Sequence, residues 1–329
     1  MDNVIGHENH KRQILIAIEA AKARNESLPH MLFSGLAGTG KTTFAISVAK
    51  TAALDFLPVS PDEMSDMRTI LKIFDKLNHD GYNKYGDRIG KISPTILYFD
   101  EIHRMPRRGQ EILGIAMEKF QIESGQPNKF YWLPYFTVIG ATTDDGELTK
   151  PFREKFKFRF LFEAYTDDDM TQIVNFHARR LKCVFTAAAV REIVRRSRGV
   201  PRLAVNYVER LRDYALHVGA PLVTSKLALE LFQTLGIDPY GLTPQEMKIL
   251  KILYSAREPV GLDNLAIITN ESMNNIKNTI EPFLIQRGLM VRSGRGRVIT
   301  DLGRRHLEQT TDLGKFIVKS EITADYVRR

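Results

Sequence analysis

The sequence predicts an α/β fold with a parallel sheet in its first half, followed by a helical bundle and a small module of three helices and a hairpin. Three observations carry this. Up to about residue 162, short apolar runs alternate with helical periodicity, the pattern of parallel strands joined through helices. From 163 to 237 the pattern is helical and strand-poor, and from 238 to 308 three helical segments precede two short apolar runs around a glycine turn. At 329 residues the chain is long for one domain, so it is read as a core (1–162), a helical unit (163–237), a C-terminal module (238–308) and a tail (309–329).

In the core, Met31–Ser34, Ile96–Phe99 and Phe136–Ile139 read as strands, and Lys11–Ala23, Thr42–Ala53, Met64–Leu77 and Gln110–Phe120 as helices. The polar, glycine-bearing stretch from Asn78 to Ser93 reads as a surface loop. In the helical unit, Asp167-Asp168-Asp169 supplies acid before a helix at Met170–Leu181, Thr186 caps Ala187–Arg198, and Arg202–Val218 carries apolar residues three and four apart. In the last module Thr243-Pro244-Gln245-Glu246 is a helix start with proline at the first helical position. Helices at Pro244–Arg257, Leu262–Thr269 and Ser272–Gln286 then lead to runs at Leu289–Arg292 and Arg297–Thr300 around Ser293-Gly294-Arg295-Gly296. Three helices and a hairpin with a basic glycine tip form a winged-helix pattern, which serves either as a DNA reader or as a protein-docking surface.

Composition narrows the classes. An apolar fraction of 43% is ordinary for a globular protein, and no window approaches the ~18 consecutive apolar residues of a membrane span. The N-terminal residues lack the basic and apolar regions of a signal peptide, and Cys183 is the single cysteine, so neither a disulfide framework nor a cysteine metal site is expected. A cytoplasmic setting follows as the expectation. The net charge of +8 favours polyanionic partners, although a solvated basic surface would read the same way.

The chemistry is concentrated in one loop. Gly35-Leu36-Ala37-Gly38-Thr39-Gly40-Lys41-Thr42 fits GxxxxGKT between a strand and a helix, the Walker A pattern. Such a loop turns backbone N–H groups around phosphate oxygens, with Lys41 as a point charge at the β/γ-phosphates and the Thr42 hydroxyl offered to Mg²⁺. Gly35, Gly38, Thr39, Gly40, Lys41, Thr42 and Thr43 are therefore the candidate nucleotide-binding positions. Ile96–Phe99 runs into Asp100-Glu101, where Asp100 would hold the metal and Glu101 would polarise the attacking water. Adjacent carboxylates at a strand end are expected to point to opposite sides. The strand Phe136–Ile139 ends in Gly140-Ala141-Thr142-Thr143, a tip placed to sense the γ-phosphate or simply to cap a turn.

Several segments in order from about Val4 to Leu307 resemble the RuvB family, bacterial AAA+ motors that drive Holliday-junction branch migration. They are Asp100-Glu101-Ile102-His103-Arg104-Met105, Gly140-Ala141-Thr142-Thr143, Arg196-Ser197-Arg198-Gly199-Val200-Pro201-Arg202, Pro259-Val260-Gly261-Leu262-Asp263, Glu281-Pro282-Phe283-Leu284-Ile285-Gln286 and Gly294-Arg295-Gly296-Arg297. The resemblance implies a AAA+ core, a helical lid and a winged helix, assembled as an ATP-dependent hexameric ring around double-stranded or branched DNA, with ATP and Mg²⁺ as cofactors. It makes Thr143 sensor 1 and Arg202, after Pro201, sensor 2, and it sets Tyr165 beside the nucleotide; unaided, Arg202 reads as surface charge. His103 and Tyr165 also read as packing residues.

Three departures from the family pattern stand out. The trans-acting finger of the family is usually the second arginine of Pro-Leu-Arg-x-Arg-Phe. Here the segment is Pro151-Phe152-Arg153-Glu154-Lys155-Phe156, which puts Lys155 at that position and leaves Arg153 as the other candidate. The hairpin that grips a RuvA-like junction-binding partner, 120–136, is several residues short yet aromatic, with Phe130, Tyr131, Trp132 and Tyr135. The stretch 78–93 and the tail 308–329 look like additions. In the wing, Arg292, Arg295 and Arg297 are expected at DNA phosphates, with Gly296 allowing close approach. Two rival readings share these residues: a AAA+ switch that loads another protein on DNA, and an adaptor that binds ATP without turnover.

Overall fold

A computed structural model describes residue 1 and residues 4–77, 95–123 and 130–310. The expected loop at 78–93 and the chain after 310 lie outside the described residues. The chain forms two compact units, Met1–Arg180 with Gly199–Val208, and Leu181–Arg198 with Glu209–Arg329.

In the first unit, β1 (Met31–Gly35), β2 (Asp55–Val59), β3 (Thr95–Phe99), β6 (Phe136–Thr142) and β7 (Phe158–Phe162) form a parallel sheet of order β2-β3-β6-β1-β7. The short pair β4 (Gln121–Glu123) and β5 (Phe130–Trp132) forms a separate antiparallel hairpin. Each central strand is buried on both faces, which is why its sequence is a continuous apolar run and does not alternate. Met31, Phe33, Ile96, Tyr98, Ile139 and Phe162 face one core layer with Ile14 and Ile18 of α1 (Glu8–Arg24) and Phe44 and Val48 of α2 (Lys41–Ala52). Leu32, Leu97, Phe99, Phe136 and Val138 face the other, with Ile70 and Phe74 of α3 (Met67–Asp75) and Leu113 and Met117 of α4 (Arg107–Lys119). Burial of each such side chain contributes roughly 1.5–3 kcal/mol before entropy is counted.

The sheet order decides where the chemistry lies. β1 pairs with β6 up to Ser34 and Thr142, and β6 pairs with β3 up to Gly140 and Phe99. The loop after β1, the carboxylates after β3 and the threonines ending β6 thus share the C-terminal edge, where α/β sheets bind ligands. His30, at the entry to β1, ties the frame together: its Nδ1 accepts from Val138 N–H at 2.9 Å, and Nε2 lies 3.0 Å from Met117 O. That pairing demands a neutral ring with its proton on Nε2, and burial lowers the His30 pKa to about 4.

Two strands were not anticipated. β2 contains Pro58, which argues against a strand, but β2 is an edge, where a missing N–H faces no partner. β7 alternates, with Phe160 and Phe162 buried and Arg159 and Leu161 exposed. After α5 (Lys150–Glu154) and β7, helix α6 (Asp167–Arg180) completes the first unit except for the start of α8.

The second unit begins with α7 (Ala187–Arg196), capped as expected by the Thr186 hydroxyl, which accepts from Ala189 N–H at 3.2 Å. Helix α8 (Pro201–His217) passes from the first unit into the second, and α9 (Ser225–Thr234), not read from the sequence, packs on α7. The winged helix follows as α10 (Pro244–Ser255), α11 (Leu262–Thr269), α12 (Met273–Asn275), α13 (Glu281–Gln286), β8 (Met290–Ser293), β9 (Gly296–Ile299) and α14 (Asp301–Thr310). Between α12 and α13 the expected single helix widens into a π-turn at Ile276–Ile280, next to Pro282, which has no N–H to continue the ladder. Thr243 and Glu246 form a capping box at the helix start read from the sequence. Arg198 reaches that box: its Nη1 donates to Glu246 Oε1 at 2.8 Å, and its guanidinium stacks 3.6 Å from the Phe283 ring centroid.

Candidate active site

The loop between β1 and α2 is closed by its own lysine. Lys41 Nζ donates to Gly35 O at 2.6 Å and Leu36 O at 2.9 Å, and the side chain is buried. Desolvation pushes the Lys41 pKa below the ordinary lysine range, opposed by the Glu101 and Asp100 carboxylates, with Arg202 adding to the depression. Gly38 and Gly40 have φ of +81° and +89°, the left-handed turns that aim successive N–H groups inward. The Thr39 hydroxyl is spent within the loop, donating to Leu36 O at 2.8 Å, so only its backbone is left for a phosphate. Thr42 and Thr43 are exposed in the first turn of α2.

Behind the loop, Asp100 and Glu101 do separate, but not by strand alternation. β3 ends at Phe99, and Glu101 takes a left-handed conformation, φ 48°, so a turn sets the two carboxylates apart. Glu101 Oε2 accepts from the Thr143 N–H at 3.1 Å and from its hydroxyl at 2.9 Å. His103 Nδ1 lies 3.3 Å from the same oxygen and 2.9 Å from Thr142 Oγ1. Thr143 therefore contacts the candidate general base directly, and His103 is part of that network as well as of the packing.

Arg202 lies on the loop. Its backbone N–H donates to Gly38 O at 3.3 Å, and a Cβ on Gly38 would come within 2.8 Å of Arg202 Cβ. Pro201 opens α8 and fixes that approach. Tyr165 N–H donates to Gly199 O at 2.9 Å, which hangs the ring beside the loop: its hydroxyl lies 3.2 Å from where a Gly40 Cβ would be. Burial pushes the Tyr165 phenol up to about 12.

Three site residues were not singled out from the sequence. Tyr98, buried in β3, places its hydroxyl 2.8 Å from Thr42 Oγ1; burial raises its pKa well above the ordinary phenol value. Thr142 holds His103. His7 packs edge-on against Tyr165, 4.5 Å between centroids, with Nε2 buried and without a partner among the described residues. Burial and the neighbouring His10 lower the His7 pKa to about 4, so it presents a neutral ring. The aromatic partner of a Walker B strand is legible in principle; a histidine in the leading segment is not.

The remaining candidates lie elsewhere. Lys155 follows α5 and its Nζ is 2.6 Å from Glu118 Oε2, holding the Glu118 carboxyl below its usual range, while Arg153 Nη1 donates to Asp145 O at 3.4 Å. In the wing, Arg295 is exposed at the tip. Arg297 is not: its Nε donates at 2.7 Å to Glu281, whose side chain is fully buried, and Arg292 Nε donates to the same carboxylate at 2.6 Å. Gly296 serves the wing's own packing, because a Cβ there would meet Val260 O at 2.6 Å, where Val260 and Arg297 exchange backbone hydrogen bonds. Arg297 and Gly296, both expected at the DNA surface, thus also hold the wing together, because the buried Glu281 carboxylate needs its partners.

A parallel sheet whose phosphate loop is backed by carboxylates and a threonine at the neighbouring strand tips, with an arginine from a following helical segment laid on the loop, is the AAA+ form of P-loop ATPase. Family comparison sharpens this class. Residues 1–161 match the P-loop domain of the Holliday junction DNA helicase RuvB, 165–238 the RuvB AAA lid domain, and 239–308 the RuvB C-terminal winged-helix domain. The chain is 35% identical over 316 residues to the Holliday junction branch migration complex subunit RuvB of Streptococcus uberis, covering 94% of this chain and 90% of that protein. It is likewise 35% identical to the same subunit of a Synechococcus species, covering 92% and 87%. The solved Thermotoga maritima RuvB Holliday junction branch migration motor matches with a TM-score of 0.76 at 32% identity, over 94% of this chain and 96% of that one. The chain belongs to the RuvB family. No helix among the described residues is long and apolar enough to cross a membrane.

Proposed function

We propose that this chain is an ATP-driven motor that assembles as a hexameric ring and moves the branch point of four-way DNA junctions, with Mg²⁺ at its nucleotide site. The observation that carries it is the hydrogen-bonded pair of Glu101 and Thr143 behind a complete phosphate loop, which supplies a positioned base and argues against an adaptor without turnover. The loop fits ATP: left-handed Gly38 and Gly40 cradle phosphate, and the orphaned Nε2 of His7 beside Tyr165 is a polar atom awaiting a partner. Thr42 and Asp100 are hard oxygen donors, the kind Mg²⁺ takes together with phosphate and water. Thr42 and Asp100 would hold Mg²⁺ there, and it would supply charge neutralisation to the phosphates. Lys41 exchanges the Gly35 and Leu36 carbonyls for phosphate oxygen. Glu101 takes the proton of the attacking water, and Arg202 supplies charge from the lid side.

The wing and the hairpin supply the outward contacts. Arg295 contacts DNA phosphate, with Arg292, partly exposed, beside it. Replacing Arg295 with alanine is expected to weaken binding to unrelated duplexes alike and to lower the log–log salt slope by about one. Arg297→Ala is expected to lower the thermal stability of the module by leaving Glu281 short of a partner. An unchanged salt slope in Arg295→Ala removes the tip from the interface and favours protein docking.

On the hairpin, alternate residues separate cleanly: Tyr131 packs towards the core and bonds Asp75, while Phe130 and Trp132 are 47% and 50% exposed and Tyr135 is 45% exposed. Three large aromatic surfaces on one short segment match the anchors of an interface with a RuvA-like junction-binding partner. The deciding experiment is a synthetic four-way junction with ATP, with and without such a partner. Migration of the junction by rings is the expected result, and Trp132→Ala is expected to lose the partner's stimulation while keeping basal ATPase. DNA-stimulated hydrolysis without migration overturns the motor reading in favour of a loader.

A further inference from the structure

The Tyr98 hydroxyl lies 2.8 Å from Thr42 Oγ1 and 3.3 Å from Asp100 Oδ1, so one side chain touches both oxygen donors assigned above to the metal. We propose that Tyr98 is a positioning residue for that metal site, holding Thr42 and Asp100 in register and turning the lone pairs of Thr42 towards the cation. The inference rests on the Mg²⁺ reading of the preceding subsection.

The count of protons sets the direction of both bonds. A carboxylate only accepts, so the phenol must donate its single proton to Asp100. Having no second proton, Tyr98 must accept from Thr42. The Thr42 proton is thereby committed to Tyr98, and its oxygen presents lone pairs alone to the nucleotide side, the orientation a hydroxyl ligand requires. Without Tyr98 the same hydroxyl is free to rotate, and its proton can take the position the cation needs.

The rest of the ring acts as plain core. Tyr98 is 3% exposed, stacks on Phe56 with 5.2 Å between centroids, and lies in the layer with Ile96, Phe33 and Phe44. Phenylalanine fills the same space, so Tyr98→Phe removes the hydroxyl and little else. A hydroxyl at the tip of a core aromatic has no packing duty; at this site it bridges a Walker A side chain and a Walker B side chain across two adjoining elements.

The test is binding of a fluorescent ATP analogue to the full chain, titrated with Mg²⁺ and repeated in EDTA, with Mn²⁺ binding read separately by electron paramagnetic resonance. Tyr98→Phe is expected to bind the analogue in EDTA as the parent does, to unfold at nearly the parental temperature, and to need ~10-fold more Mg²⁺ for half-maximal tightening, the lower end of what losing a partner of a metal ligand costs. In a Thr42→Val background the same change is expected to add no further loss, because the two hydroxyls act as one unit. An unchanged Mg²⁺ midpoint overturns the role of Tyr98 while leaving the metal reading intact. Equal loss in EDTA and in Mg²⁺ also overturns it, marking the hydroxyl as a support of the loop. A parent protein whose nucleotide binding ignores Mg²⁺ overturns the metal reading itself.

Discussion

Glu101→Gln is expected to bind ATP as tightly as the parent and to hydrolyse it slower by ~10²-fold or more, the usual contribution of a positioned general base. The geometry makes this substitution a clean probe. Glutamine keeps the length of the side chain and an oxygen that can still accept from the Thr143 N–H and hydroxyl, now 3.1 and 2.9 Å from Glu101 Oε2, so the strand tips stay joined. What is lost is the capacity to take a proton from water. Single-turnover hydrolysis separated from equilibrium nucleotide binding is the measurement. Hydrolysis at the parental rate would falsify the assignment of Glu101 as base. Loss of binding as well would show that its charge holds the loop together through Lys41.

The larger effect concerns the finger supplied by a neighbouring subunit, worth ~10³-fold where arginine provides it. Lys155 is expected to take this role, with a weaker basal rate because an ammonium lacks the planar fork. Its engagement with Glu118 is no obstacle. Solvent screens a surface pair of this kind, so breaking it costs little beside the transition-state stabilisation a finger supplies. Lys155→Ala subunits mixed with Lys41→Ala subunits are expected to regain ATPase, because a site combining Lys41 from one with Lys155 from the other is whole. Lys41→Ala alone is inactive by the same reasoning. No recovery, with near-normal hydrolysis in Lys155→Ala alone, transfers the role to Arg153 or shows that no finger is used.

How much of this was legible varies with the range of the interaction. The phosphate loop, the Thr186 and Thr243 caps and the three central strands were read at the right places, because each depends on a few consecutive residues. Edge strands failed for opposite reasons: Pro58 hid β2, and the alternation in β7 went unread at a block boundary. The wing shows the limit most plainly. Arg295 and Arg297 look alike in sequence, two arginines around a glycine, yet one is solvated and the other is ion-paired to fully buried Glu281, sixteen residues earlier.

By itself the sequence determined the chemistry carried by contiguous residues: a loop that folds around phosphate, a strand delivering two carboxylates, a winged-helix pattern, and membership of a family through motifs in order. Only the tertiary structure decided which of those residues meet. The order β2-β3-β6-β1-β7 set Thr143 on Glu101 and laid Tyr98 between Thr42 and Asp100, and packing within the separate C-terminal module paired Arg297 with buried Glu281. The reason is physical: backbone turns and caps are governed by neighbouring residues, but the partner of a polar side chain is chosen by burial, which makes an unpaired group costly wherever packing places it.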